Sequence, residues 1–299
     1  MGKIAILFAG QGDQYPGMGK ELYEKYHVAR EIFDLCDGIR PGTIDQCFAG
    51  TEAELRQTVN TQPCLFAMEL AAAAVLWEQG VRPDALAGFS LGEVTAATVA
   101  GIFDRETGFR LVCRRGEWMQ QAAERYDTAM TAVVKLPQEA VEALCGQYTG
   151  VYPVNYNCPG QITVAGLTAE MADFAAAVKA AGGRAIPLKV TGGFHSPFMA
   201  EAAAAFRDEL KKVELSAPAI PLYSNVTAAR YAGDAAALLS AQIKSPVQWE
   251  RIIRNLLAEG VDTFIEIGPG RTLSGMVRKI SGEVRAVGYS EYLGEVISC

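Results

Sequence analysis

Gly88-Phe89-Ser90-Leu91-Gly92 follows a short apolar run, Asp84 to Phe89, and opens a stretch rich in small residues from Leu91 to about Ala100. The run reads as a buried strand and the stretch as a helix. A serine bracketed by glycines between strand and helix is the setting of a nucleophile elbow, in which a tight turn pushes the hydroxyl out beyond the sheet edge. The Leu91 backbone N–H faces the same space and can donate to an oxyanion. The alternative is an inert glycine-bounded turn; the strand and helix on either side favour the elbow.

Outward from this turn, strands and helices alternate. Lys3 to Phe8 reads as a strand that runs into Gly10-Gln11-Gly12, and helical pattern follows from about Gly17 to Asp37. Asn60 and Thr61 can cap a helix with Pro63 in its first turn, and Asp104 can cap a long one reaching about Arg125. From about 127 the order becomes β-α-β-β-α-β: strands at Ala129–Leu136, Val151–Tyr156, Gln161–Ala165 and Arg184–Val190, with helices at Pro137–Gln147 and from Thr168 to Gly182. That order is the ferredoxin-like unit. A helix from Pro197 to about Val213, a strand at Pro221–Tyr223, helices over about Asp234–Glu259 and a strand at Asp262–Ile267 complete the pattern. The expected architecture is α/β: a large domain, 1–126 and 193–299, with a mostly parallel sheet, and a small ferredoxin-like domain inserted at 127–192.

The 299 residues are 50% apolar and 20% charged, a globular composition with enough chain for a large core. A formal net charge of −7 gives no electrostatic reason to expect nucleic acid or an anionic membrane. No apolar run reads as a membrane span or a signal-peptide core. Seven cysteines, an odd number with no Cys-x-x-Cys pair, read as reduced cytosolic thiols. Two histidines are too few for the common His-rich zinc sites, and no metal is expected.

A serine hydroxyl is a weak nucleophile and needs a base beside it. His27, among Tyr26, Arg30 and Glu31, reads as a solvated helix residue. His195, in Gly192-Gly193-Phe194-His195-Ser196-Pro197, lies just before a helix start, which disfavours positive charge and biases the ring to its neutral, basic form. Arg115 shares a helix face with Leu111, Val112 and Met119 and therefore points to the core, where a guanidinium needs a partner. A protein carboxylate and a substrate carboxylate both meet that need. Gly10-Gln11-Gly12 could bring a second backbone N–H to the oxyanion or be a plain strand exit; Tyr15 at the third glycine position rules out a dinucleotide fingerprint.

Together these stretches resemble the malonyl-CoA:acyl carrier protein transacylase family, the acyltransferases of fatty-acid and polyketide synthesis. The resemblance runs through Gly10-Gln11-Gly12, Thr61-Gln62-Pro63, Gly88 to Glu93, Arg115-Gly116 with Met119, Asn155 to Gln161, Gly193 to Ser196, Ser224-Asn225-Val226-Thr227, Pro246 to Trp249 and Glu266 to Gly270. It implies an α/β-hydrolase-like large domain, Ser90 as nucleophile and His195 as base. It further implies an oxyanion hole from the Gln11 and Leu91 N–H groups, and the Gln248 backbone carbonyl as the group orienting the histidine. Arg115, Gln11, Gln62, Phe194 and Asn157 would contact substrate. The implied chemistry is ping-pong malonyl transfer from malonyl-CoA to acyl carrier protein in the cytoplasm, with no cofactor. The family usually has histidine where Phe89 stands. A stand-alone acyltransferase supplying a polyketide synthase shares all of these residues. A serine hydrolase or thioesterase shares the elbow but normally has an acidic residue between its serine and histidine in the chain, and Asp127 and Asp173 look unsuitable.

Overall fold

The structure, a computed structural model, describes residues 2–190 and 192–298; Cys299, one of the seven thiols, lies outside them. The chain opens with β1 (Lys3–Phe8), then α1 (Lys20–Lys25), α2 (His27–Ile39), α3 (Thr43–Ala49), α4 (Glu52–Arg56) and α5 (Thr58–Glu78). It continues through β2 (Ala85–Gly88), α6 (Leu91–Val99) and α7 (Arg105–Arg125). Next come β3 (Thr128–Val134), α8 (Gln138–Cys145), β4 (Val151–Cys158), β5 (Gln161–Leu167), α9 (Thr168–Ala180) and β6 (Arg184–Pro187). After one 3-10 turn, Pro197–Met199, come α10 (Ala200–Leu210), β7 (Leu222–Tyr223), α11 (Ala235–Gln242), α12 (Trp249–Ala258), β8 (Val261–Ile267), α13 (Thr272–Ile280), β9 (Arg285–Gly288) and α14 (Tyr289–Ser298).

Two sheets organise these elements. Strands β7-β2-β1-β8-β9 form a parallel sheet, and β4-β5-β3-β6 a separate one in which every pairing is antiparallel. Residues Ala5 to Phe8 and Ala85 to Gly88 are buried throughout, as expected of parallel strands covered on both faces. The second sheet packs α8 and α9 over a compact core of Val133, Val141, Val164, Phe174 and Val178. The two sheets are joined where Val247, just ahead of α12, bonds into β4: its N–H donates to Val154 O at 2.9 Å and its carbonyl accepts from Tyr156 N at 2.9 Å.

Helix boundaries show where local signals yield to tertiary ones. The first helical stretch is broken at Tyr26, which is extended at φ −119°, ψ 125°. Helix α5 begins at Thr58, ahead of Asn60 and Thr61, because an acceptor from α7 meets its first N–H: Thr58 N to Gln120 Oε1, 3.0 Å. By length and composition α5 could cross a membrane, but it is 83% buried as the central core helix of the large half. Asp104 caps α7 as expected, accepting from Thr107 N at 2.7 Å. The helices expected over about 234–259 are two, α11 and α12, with residues 243–248 between them.

The elbow requires its glycines for close approach. A Cβ on Gly92 would lie 2.2 Å from Phe8 O, and one on Gly88 would lie 1.9 Å from the Gly92 carbonyl carbon, both backbone atoms that cannot swing aside. Gly92→Ala is therefore expected to destabilise the chain by at least about 1–3 kcal/mol through overpacking. Thermal denaturation checks this; a midpoint equal to that of the unaltered chain would contradict the contact.

Candidate active site

Ser90 leaves the end of β2 with φ 54° and ψ −108°, a backbone that costs a non-glycine residue about 1–3 kcal/mol. His195, 105 residues further on, also has positive φ, 60°. Their side chains meet: His195 Nε2 is 2.7 Å from Ser90 Oγ. The other ring nitrogen, Nδ1, lies 2.8 Å from the Gln242 carbonyl. A carbonyl only accepts, so Nδ1 carries the proton and Nε2 is free to accept from the serine.

This placement corrects two expectations. The histidine is oriented by the carbonyl of Gln242, not Gln248. Gln248 precedes α12, and its carbonyl accepts from Ile252 N inside that helix. Gln242 ends α11, where carbonyls lose their intrahelical donors and become free to accept. The second correction concerns why the ring is neutral. The helix expected just after His195 does start there, as a 3-10 turn that runs straight into α10, but the ring's shift has other causes. Burial is the main cause, with the Arg115 charge second, and together they push the imidazole down to about 4.

Arg115 is fully buried, as its helix face implied. Its Nη1 donates to Gln62 Oε1 and its Nη2 to Gln242 Oε1, both at 2.8 Å, and Nη2 is also 3.4 Å from Ser90 Oγ. Its Nε has no partner. Among the described residues no carboxylate forms an ion pair with it. Burial lowers its pKa to about 10, with Glu93 the favourable charge nearby, so it remains cationic at neutral pH. A buried cation held only by neutral amides is costly to the free protein and ready for an anion.

The elbow is fastened from outside its own loop. Asn225 accepts from Ser90 N at 2.8 Å and donates to Gly88 O at 2.6 Å, while Gln242 Nε2 donates to Ser90 O at 2.5 Å. Glu93 Oε1 accepts from Asn225 N and Tyr231 OH, and its Oε2 accepts from Gln242 Nε2. Roles for Gln242, Glu93, Asn225 and Tyr231 were not visible in the sequence. Asn225 and Glu93 lie in stretches that carried the family resemblance, but nothing local says what they hold.

The remaining expected residues surround this centre. The backbone N–H groups of Gln11 and Leu91 meet no acceptor among the described residues. Gln62 turns its amide nitrogen to Gln11 Oε1, 3.0 Å away, and to Met119 Sδ. Gln11, Phe89, Phe194, Asn155 and Asn157 line a cavity of about 500 Å³ between the two sheets. Ser90, His195 and Arg115 are not in that lining; they lie behind it, at most 9% exposed. Asn157 donates to Thr163 Oγ1, and the Oδ1 atoms of both Asn155 and Asn157 are buried without partners. Phe89 packs edge-on against Trp249, ring centres 5.4 Å apart. Asp127 accepts from Thr168 Oγ1 rather than from the histidine, and His27 is exposed beside Glu31.

Comparison with known proteins gives a consistent outcome. The acyl transferase domain family matches residues 6–297. The malonyl CoA-acyl carrier protein transacylase of Bacillus subtilis is 39% identical over 97% of this chain and 94% of its own, and that of Escherichia coli K12 is 35% identical over 97% of each. The crystal structure of the Clostridium perfringens transacylase of the same name superposes with a TM-score of 0.95 at 34% identity, covering 99% of this chain and 98% of that one. A malonyl-transacylase solved in complex with its type II PKS acyl-carrier protein superposes with a TM-score of 0.89 at 32% identity, covering 96% and 94%.

Asn225→Ala strands two buried backbone groups, Ser90 N–H and Gly88 C=O, at about 1–3 kcal/mol each. The expected loss of stability is at least about 2 kcal/mol, accompanied by slower acylation of Ser90. Denaturant unfolding and the rate of covalent labelling read the two effects.

Proposed function

Because this chain belongs to the acyl transferase domain family, we propose that it moves a malonyl group from malonyl-CoA to the phosphopantetheine thiol of acyl carrier protein through an ester on Ser90. The observation that carries this reading is the Arg115 guanidinium, buried without a carboxylate and 3.4 Å from the serine oxygen. An acyl group bearing a carboxylate supplies the missing anion at the distance from the reacting carbonyl where a malonyl group has one.

Neutral His195 takes the Ser90 proton at Nε2 as Oγ attacks the thioester carbonyl. Such positioned proton transfer contributes about 10²–10⁴ in rate. The oxyanion is received by the Gln11 and Leu91 N–H groups; losing one such donor costs about 10²–10³. The C–S bond breaks, and coenzyme A leaves with the proton from His195. The carrier thiol then gives its proton to the same nitrogen and attacks the ester, releasing Ser90. Gln62 holds Arg115, and Phe194 and Phe89 form apolar wall. The bare Oδ1 acceptors of Asn155 and Asn157 suit the amide N–H groups of the pantetheine arm, the part the two substrates share.

We place the reaction in fatty-acid synthesis; the likeness to a type II PKS malonyl-transacylase supports the polyketide role as second reading. The cytoplasm is the proposed location, in keeping with the six cysteines among the described residues all being free thiols. Residues 127–192 are proposed as one inserted domain, since all four strands of the antiparallel sheet fall within them. A hydrolase reading is disfavoured because the position an acidic triad member would occupy is filled by the Gln242 carbonyl.

Ser90→Ala is expected to abolish covalent labelling by malonyl-CoA, read by intact-mass spectrometry; persistent labelling at another residue would overturn the assignment. Arg115→Ala is expected to slow malonyl transfer by about 10²-fold, the order of a charge-assisted hydrogen-bond pair, and acetyl transfer far less. Equal losses for the two acyl groups would make Arg115 structural.

A further inference from the structure

Glu93 lies three residues beyond the nucleophile, fully buried in the first turn of α6, and touches neither Ser90 Oγ nor the cavity. It nevertheless bonds to both residues that fasten the site. Its Oε1 accepts from Asn225 N at 3.1 Å and Tyr231 OH at 2.6 Å, and its Oε2 accepts from Gln242 Nε2 at 2.9 Å. An ionised carboxylate only accepts hydrogen bonds, so the end of the Gln242 amide turned toward it must be NH₂. The oxygen end must then face Arg115, where it accepts from Nη2 at 2.8 Å. The reversed amide would set oxygen against carboxylate and NH₂ against guanidinium. One side chain thus passes the Glu93 charge to Arg115, while its NH₂ also holds Ser90 O.

Resting on the malonyl-transfer reading above, we propose that Glu93 is a positioning residue for acylation: its carboxylate anchors the NH₂ end of the Gln242 amide with the oxygen end on Arg115, and so keeps the guanidinium and the Ser90 backbone in the arrangement that receives a carboxylated acyl group. Protonated Glu93 would carry an O–H of its own and no longer hold the NH₂ end by charge, leaving that hold to Arg115 and the Ser90 carbonyl alone.

The arrangement should therefore be lost in acid. Burial raises Glu93 to about 7, against the lowering effects of Tyr231, Gln242, Asn225 and Arg115. Four other ionisable groups among the described residues lie around it. Arg115 on α7 is held near 10 and His195 near 4. Tyr231 is pushed well above its usual range by burial. Glu69 on α5, which binds Thr95 of α6, is also pushed well up by burial, but it bonds to none of the groups that hold Gln242.

The test measures the rate of Ser90 acylation by malonyl-CoA and by acetyl-CoA from about pH 5 to about pH 9. The unaltered enzyme should show a malonyl rate that falls as pH drops through about 7. Glu93→Gln should remove that acid limb and lower the malonyl plateau roughly tenfold, the worth of one charge-assisted hydrogen bond, with a smaller loss for acetyl. Tyr231→Phe keeps the carboxylate but removes a donor to it, and should move the limb to higher pH. An unaltered limb in Glu93→Gln, or equal losses for the two acyl groups, would overturn the role. If Glu93→Gln does not fold, Tyr231→Phe decides: a shifted limb supports the role and an unshifted one overturns it. Failure of the unaltered enzyme to load malonyl on Ser90 at all would instead overturn the function on which the role rests.

Discussion

A positive charge buried with no negative charge in contact is the constraint around which this protein is built. Arg115 is 0% exposed, and its direct partners are the oxygens of two glutamine amides and a serine hydroxyl. Taking an ion out of water costs several kcal/mol even after the protein relaxes. Solvent cannot repay that cost here, so the amides must be presented oxygen-first, and each needs something behind it to hold that orientation. Gln62 is held by Gln11 and Met119, and Gln242 by Glu93 and the Ser90 carbonyl. The same charge helps keep His195 neutral. Arg115, His195 and Ser90 are thus parts of one electrostatic arrangement.

The strained turn at Ser90 obeys a similar logic. A non-glycine residue at φ 54° persists only when its surroundings over-determine it. Its N–H, its carbonyl and the carbonyl of Gly88 are each bonded to a side chain from the segments after the small sheet. The glycines allow the turn sterically; Asn225 and Gln242 maintain it.

Much of this was legible in the sequence, for definite reasons. The parallel sheet could be read because its strands are short unbroken apolar runs, and the elbow because its glycines mark a sterically special place. Ser90 and His195 could be paired because the chain offers one other histidine, set among charged residues on a helix. The burial of Arg115 followed from helical spacing. What could not be read is what lies between distant segments. The start of α5 depends on Gln120, 62 residues away. The acceptor of the His195 proton is a backbone carbonyl, and carbonyls have no letter of their own. Gln242 and Gln248 both lie near α12, and only the end of α11, invisible within a long helical pattern, distinguishes them. Glu93 reads as an ordinary first-turn acid until its three donors, none nearer than 132 residues in the chain, are seen.

The bridge between β4 and Val247 has a mechanical consequence. Val247 is five residues beyond Gln242, and both of its backbone groups are bonded into β4 of the antiparallel sheet. A swing of that sheet away from the rest of the molecule would drag the strap that carries the histidine's acceptor. Parting the two sheets at this point would break both bonds at once and pull on a segment five residues from the carbonyl that holds the imidazole.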